Sequence, residues 1–180
     1  MSEPSQSKPK RVTLFGAEST GKSTLASQLA RHFNAVLVPE YGRTYTEQHG
    51  QDASTAQDML NIAHGHLALR RAVESQAGAL VIEDTDPVLT AIWSDILAGY
   101  RDPWFDRFDD YPDLYLFCDI DLPWVRDDVR YFGDPAARMA AAQFRDALRR
   151  IEGVLAARNR EREIAYDILL PSRVPNGVVL

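Results

Sequence analysis

The stretch Leu14–Leu25 reads "LFGAESTGKSTL" and contains Gly16-x-x-x-x-Gly21-Lys22-Ser23, a spacing suited to holding phosphates. Gly16 and Gly21 let the backbone turn sharply and approach phosphate oxygens. Backbone N–H groups across Ala17, Glu18, Ser19, Thr20 and Thr24, with the N-terminus of a helix opened by Lys22, supply fixed positive potential. Lys22 is expected to reach the β- and γ-phosphates, and the Ser23 hydroxyl to bind Mg²⁺. The motif alone is short, but its context strengthens it. The strand "RVTLF" (Arg11–Phe15) runs straight into Gly16, and the following helix carries Leu25, Leu29 and Phe33 at i, i+4 and i+8.

The chain has three lysines, Lys8, Lys10 and Lys22; arginine carries the rest of its positive charge. Lys8 and Lys10 fall in a polar leader, so the folded body is expected to keep one lysine, that of the cradle. Arginine does not replace lysine where a compact ammonium must fit among phosphate oxygens. A chance bias toward arginine is the alternative.

Ligands of an open parallel sheet gather beyond the carboxyl ends of its strands. The strand "ALVI" (Ala79–Ile82) leads into Glu83-Asp84-Thr85-Asp86. Side chains alternate along a strand, so Glu83 and Asp84 face opposite sides, and one of them approaches the Mg²⁺. The pattern does not say which. Asp86 has two readings, a substrate contact or the N-cap of a helix opened by Pro87. After the strand "AVLV" (Ala35–Val38), Glu40, Tyr41 and Arg43 stand where a phosphate acceptor would bind. Glu40 suits a sugar hydroxyl or its proton, and Arg43 an anionic group; a solvated loop with a capped turn is the alternative.

Beyond the fourth strand, "DIDLPWVRDDVRYFGDP" carries Arg126 and Arg130 at i, i+4. On one helical face they would close over a triphosphate and neutralise developing charge. The alternative is a surface helix with Asp127 and Asp128 pairing locally. His64 and His66, at i, i+2, do not share a helical face and make a poor metal pair. Trp93 lies mid-helix among apolar residues, a setting more typical of core than of a substrate platform. Trp104 and Phe105 are candidates for a loop over the cleft.

The elements that must position these residues are short apolar strands alternating with helices. "PEYGRTYTEQHGQDAS" (Pro39–Ser54) reads as a polar loop. A long helix follows, with Ser54 and Gln57 as capping box and Gly78 as stop. Another runs from Asp86-Pro87 to Gly99. "DLYLFC" (Asp113–Cys118) is the fourth strand. Asp134-Pro135 opens a helix with the seam Phe144, Leu148, Ile151 and Leu155, and "AYDILL" (Ala165–Leu170) is the fifth strand. This alternation means an α/β domain, a parallel sheet covered on both faces. Residues 1–10 read as a disordered leader, 11–171 as one domain and 172–180 as a tail.

At 180 residues with no linker or repeat, one domain is expected. The single cysteine, Cys118, has no intramolecular partner, which points to a reducing cytoplasm. The start has no apolar signal region, and no apolar run approaches the ~20 residues of a membrane span. A net charge of −6 without a basic, aromatic-interleaved patch argues against nucleic-acid binding. Oligomeric state is left open.

Four segments, "GAESTGKSTL", "VPEYGRTY", "DTDPVLTAIWS" and "PWVRDDVRYFGDP", together resemble the nicotinamide riboside (ribosylnicotinamide) kinase domain of NadR-type proteins. The resemblance runs in order from about Val12 to Pro171. It implies a three-layer P-loop kinase fold with a five-stranded parallel sheet in the order 2-3-1-4-5. It also implies ATP, Mg²⁺ and phosphorylation of the ribose 5′-hydroxyl to nicotinamide mononucleotide. The family's phosphate loop falls on Gly16–Thr24. Its "DTD" falls on Asp84-Thr85-Asp86, favouring Asp84 over Glu83 at the metal or acceptor. Its "E-x-G-R" falls on Glu40, Gly42 and Arg43, and its lid motif on Trp124, Val125, Asp127 and Arg130. The expected catalytic set is Lys22, Asp84 and Arg130. Arg126 joins the loop on the ATP, and Glu40, Tyr41, Arg43, Asp86, Trp93 and Asp127 form the substrate side. The chain departs from the family at Asp128, where the lid usually has Gly, and at Pro39, where some members carry an aromatic. Bifunctional members place an adenylyltransferase domain ahead of the kinase; only the short leader stands there in this sequence, so that activity is not expected in it.

A small-molecule kinase is the leading function class, with nicotinamide riboside the favoured acceptor. A kinase for another nucleoside or metabolite is hard to separate from it by sequence. A nucleotide-dependent switch is disfavoured, because guanine-reading switches use an Asn/Thr-Lys-x-Asp motif and no lysine follows Lys22.

Overall fold

The computed structural model describes residues 8–50, 52–119, 146 and 165–169. The expected lid with Arg126, Asp127 and Arg130, the helix opened by Asp134-Pro135, and the tail lie outside the described residues. In chain order the elements are β1 (Lys10–Phe15), α1 (Lys22–His32), β2 (Val36–Val38), α2 (Tyr41–His49), α3 (Ala56–Glu74), β3 (Leu80–Asp84), α4 (Pro87–Trp93), α5 (Pro103–Arg107), β4 (Leu114–Cys118) and β5 (Ala165–Leu169). A π-helical segment, Ser94–Ala98, prolongs α4. The strands form one sheet in the order β2-β3-β1-β4-β5, with every pairing parallel. The expected order is borne out.

Strand alternation explains how the sheet is covered. Leu14 turns to one face and packs with Ala26, Leu29 and Ala30 of α1 and with Ile82, Leu116 and Cys118. Phe15, its neighbour, turns to the other face and packs with Leu89 and Ile92 of α4 and with Tyr115 and Phe117. Both are fully buried. Burying each such side chain contributes ~1.5–3 kcal/mol, so the central strand has hydrophobic reason to stay covered on both sides. A third cluster joins α2, α3, α4 and α5 through Tyr45, Met59, Ile62, Ala63, Ala91 and Phe105.

Four local expectations are corrected. The segment expected as a polar loop contains α2, whose Tyr45 and Thr46 are buried; packing on α3 overrides a weak local pattern. The capping box of α3 is Thr55 with Asp58, one residue beyond Ser54 and Gln57, and both reciprocal bonds form. β1 begins at Lys10, whose Nζ lies 2.7 Å from Asp113 Oδ1, so the folded body holds more than the cradle's lysine. Trp104 and Phe105 belong to α5, where Phe105 is buried in the third cluster and Trp104 stands edge-on to His64. Neither lines the cleft described next.

Candidate active site

The phosphate loop owes its shape to three left-turning positions. Gly16 has φ +145°, and a Cβ there would meet the Cys118 carbonyl oxygen at 2.3 Å, so β4 leaves room for glycine alone. Ser19 (φ 61°) and Gly21 (φ 80°) complete the turn. Thr20 donates to the Ala17 carbonyl at 2.9 Å and pins the loop from within. Gly21 is the N-cap of α1 and provides no side-chain acceptor, and the first turn has no acidic residue. The first N–H groups of α1 therefore remain available to an anion. Lys22 is buried, and its Nζ donates to the Ala17 carbonyl at 2.6 Å. The ammonium is thus stored against the loop's own backbone, within reach of a phosphate seated there.

A cleft of about 260 Å³ opens beyond the carboxyl ends of β1, β2 and β3. One side is the loop, from Glu18 to Thr24; the other is built by Glu40, Gly42, Arg43 and Thr46 around α2, Met59 and Ile62 of α3, and Leu89, Thr90 and Trp93 of α4. Thr85 and Leu97 also line it. The fold thus brings Glu18, Ser19, Thr20, Gly21, Lys22, Ser23, Thr24, Glu40, Arg43 and Trp93 together. Gly16 and Ala17 lie buried beneath the loop. Tyr41, Asp84 and Asp86 are outside the cleft lining; the Tyr41 ring lies against Gly65 of α3.

The acidic strand end separates into distinct roles. Glu83 lies on the α3 face with Thr13 and Tyr115, fully buried. Its Oε2 is 3.2 Å from His66 Nε2 and 3.9 Å from Arg70 Nη1, and its Oε1 is 3.6 Å from Arg11 Nη1. Asp84 lies on the α1 face beside Leu14, only 4% exposed, and its buried Oδ1 has no hydrogen-bond partner. Asp86 caps α4, accepting from the N–H groups of Val88 (3.0 Å) and Leu89 (3.1 Å), and its other oxygen accepts from Tyr115 Oη at 2.5 Å. Burial pushes the Asp86 carboxyl up to about 6 against the pull of the Tyr115 hydrogen bond. Trp93 is half-buried, shared between the hydrophobic clusters and the cleft wall.

Glu40, the N-cap of α2, is partly buried at the cleft edge. Burial raises its carboxyl above the usual range and Asp84 pushes the same way, while Lys22 and Arg43 pull it down. Three carboxylates, Glu40, Asp84 and Glu18, and two cations thus share one electrostatic field at the junction of the cleft's halves. A hard cation suits this place. Mg²⁺ takes oxygen ligands and is commonly held by one or two carboxylates together with substrate phosphates and water. Asp84 Oδ1, buried without a partner beside the loop that carries the exposed Ser23 hydroxyl, fits such an ion. No cluster of three or more His, Cys, Asp or Glu suited to a metal occurs among the described residues.

A family model described as an AAA domain matches residues 11–159. The chain belongs to the AAA-domain family. The chain is 34% identical over 145 residues to the trifunctional NAD biosynthesis/regulator protein NadR of Salmonella typhimurium strain LT2, a match covering 76% of this chain and 35% of the relative. The chain spans about a third of the length of the curated relatives it matches. Its structure resembles the NadR protein solved in complex with NR, with a TM-score of 0.61, 25% identity, and coverage of 88% of this chain and 45% of the other. Deoxyadenosine kinase from M. mycoides, solved with bound dATP, shares the fold at a TM-score of 0.52 and 12% identity, over 89% of this chain and 90% of the other. The NadR resemblance carried by the motifs is borne out, as is the P-loop kinase fold.

The AAA-domain loop was legible in its motif. The apolar wall was not. Met59, Ile62, Leu89 and Leu97 carry the same helical periodicity as core residues, and Thr46 sits in a segment read as loop. Thr85, with φ 74°, has no composition signal. The adjoining "DTD" pattern is the one feature of the sequence that points to it.

Proposed function

We propose that this chain is an ATP-dependent kinase domain that phosphorylates nicotinamide riboside on the ribose 5′-hydroxyl, giving nicotinamide mononucleotide. The observation that carries this reading is the continuity of the cleft. A phosphate loop and a wall with one carboxylate, one guanidinium and one indole line the same space. The likeness to NadR, one structure of which was solved in complex with NR, supports this choice of acceptor.

ATP would seat its phosphates on the N–H groups of Gly16–Thr24, with Lys22 leaving the Ala17 carbonyl for the β- and γ-phosphates. Asp84 and Ser23 would hold Mg²⁺, which when bound neutralises phosphate charge. Arg43 and Glu40 would orient the riboside, with its ring toward Trp93. The 5′-oxygen then forms its bond to the γ-phosphorus as the bond to the β–γ bridging oxygen breaks, and ADP leaves. Glu40, with its carboxyl already raised, accepts the hydroxyl proton. Arg126 and Arg130, outside the described residues, are the arginines that the motif assigns to neutralising the transferring group. Most of the rate comes from positioning and electrostatics. No described helix is long and apolar enough to cross a membrane. The lone, buried Cys118 suits a reducing cytoplasm, where we place the activity.

The test incubates purified protein with ATP, Mg²⁺ and a panel of ribosides, and reads the products by mass. Nicotinamide mononucleotide is the expected product. Phosphorylation of another nucleoside with nicotinamide riboside untouched would overturn the acceptor, and ATP consumption independent of any acceptor would overturn the kinase. Lys22→Ala should abolish turnover while leaving the thermal midpoint within a few degrees.

A further inference from the structure

The acceptor side of the cleft depends on how α2 lies on α3, and the closest approach falls at a glycine. A Cβ on Gly65, in the interior of α3, would come within 2.1 Å of Tyr41 Cε1, 2.4 Å of Cζ and 2.6 Å of Cδ1. Those atoms belong to a ring held in a packed cluster, not to the end of a flexible chain. Alanine is the better helix former, so nothing local favours glycine inside α3. The reverse contact is looser: a Cβ on Gly42 would lie 3.4 Å from Ile62 Cγ2. The notch is therefore on α3, and the knob is Tyr41.

What the knob holds is the start of α2. Tyr41 follows Glu40 directly and precedes Arg43 by two residues, and both of those side chains reach the cleft while Tyr41 does not. Further along, α2 is tied to α3 by hydrogen bonds: Tyr45 Oη donates to Asp58 Oδ1 at 2.9 Å and accepts from Asn61 Nδ2 at 3.2 Å. The Gly65–Tyr41 contact fixes the end nearer the site. The phosphate loop is carried by other elements, β1 and α1.

We propose that Gly65 and Tyr41 form a knob-and-notch lock that positions Glu40 and Arg43, making Gly65 a positioning residue for the acceptor although it does not line the cleft. The inference rests on the reading of that half as the acceptor's. Alanine at 65 displaces the ring and shifts the start of α2, and with it one substrate's contacts and not the other's.

The experiment compares wild type, Gly65→Ala, Tyr41→Ala and the double variant in the full chain. Steady-state kinetics vary ATP and nicotinamide riboside in turn, and hydrogen exchange is followed at the α2 amides. Gly65→Ala should raise the riboside KM at least tenfold, leave the ATP KM within twofold and speed exchange in α2. The double variant should match Tyr41→Ala, because alanine at 65 then has no ring to displace. An unchanged riboside KM, an equal rise in both KM values, or additive single effects would overturn the lock. Should Gly65→Ala fail to fold, Tyr41→Ala carries the same split: a riboside KM raised alone supports the lock, and equal changes overturn it. If the wild type phosphorylates no riboside, the kinase reading fails by itself. Exchange then decides the lock: faster exchange confined to α2 in Gly65→Ala supports it, and unchanged exchange overturns it.

Discussion

Glu83 and Asp84 are adjacent acids on one strand, both almost fully buried, yet the sheet assigns them opposite fates. Glu83 faces α3 and meets Arg11, His66 and Arg70. Each keeps one buried oxygen without a hydrogen-bond partner, but that of Glu83 has Arg11 Nη1 at 3.6 Å, whereas Asp84, facing α1, has no ion-pair partner among the described residues. A buried carboxylate among cations has its desolvation offset inside the protein and needs nothing further. A buried carboxylate oxygen with neither a hydrogen bond nor a counter-ion is costly unless a ligand completes it. The difference between an internal brace and a site is thus written in partners, not in residue type or burial.

The largest effect expected from breaking this contrast is at Asp84. Asp84→Asn keeps the shape and removes the charge that would hold the metal. Turnover should fall by about a thousandfold, roughly 4 kcal/mol in barrier, with the thermal midpoint unchanged or raised. Steady-state rates and a melting scan on the same sample check both halves. A variant that melts early and turns over normally would move Asp84 into the brace.

Glu83→Gln should do the reverse. Removing one partner from a buried ionic group leaves Arg11 and Arg70 under-compensated and costs roughly 3 kcal/mol of stability, while turnover of the folded fraction stays within a few-fold. Denaturant titration reads the first and kinetics at a permissive temperature the second. Loss of turnover at full stability would make both acids site residues and dissolve the comparison.

The sequence reached this contrast only halfway. Alternation put the two acids on opposite faces but did not say which face carries the phosphates. The register did, by setting Asp84 beside Leu14, on the face that α1 covers. The order of the sheet was legible, because apolar strands such as "VTLF" and "LYLFC" alternate with capped helices and one phosphate motif. Helix α2 was not, since "YGRTYTEQH" has a glycine near its start and no acidic first turn. It is helical because Tyr45 packs into the cluster on α3, a tertiary cause that no local window contains. The same limit hid the apolar cleft wall: periodicity finds the buried stripe of a helix, and only packing decides which part of the stripe faces a neighbour and which a cavity.

The smallest effect is at the rim of the brace. Asp110 sits on the loop before β4 and pairs with Arg11 Nη2 at 2.8 Å and with Arg70. Burial alone would raise its carboxyl, but Arg11 and then Arg70 outweigh that and hold it below the usual range. A carboxyl depressed on folding adds stability above its unfolded value of about 3.9, and that stability is lost as pH falls through the folded value. The Asp110 side chain is 41% exposed, so solvent screens the pair and the expected contribution is only about 1 kcal/mol. Asp110→Asn should therefore be slightly less stable than wild type in urea at pH 7, with the gap closing as pH drops below the carboxylate range. Turnover at pH 7 should not change, since Asp110 does not line the cleft. A gap that persists at low pH would mean that Asp110 acts through neutral hydrogen bonds, and that the brace around Glu83 ends at Arg11 and Arg70.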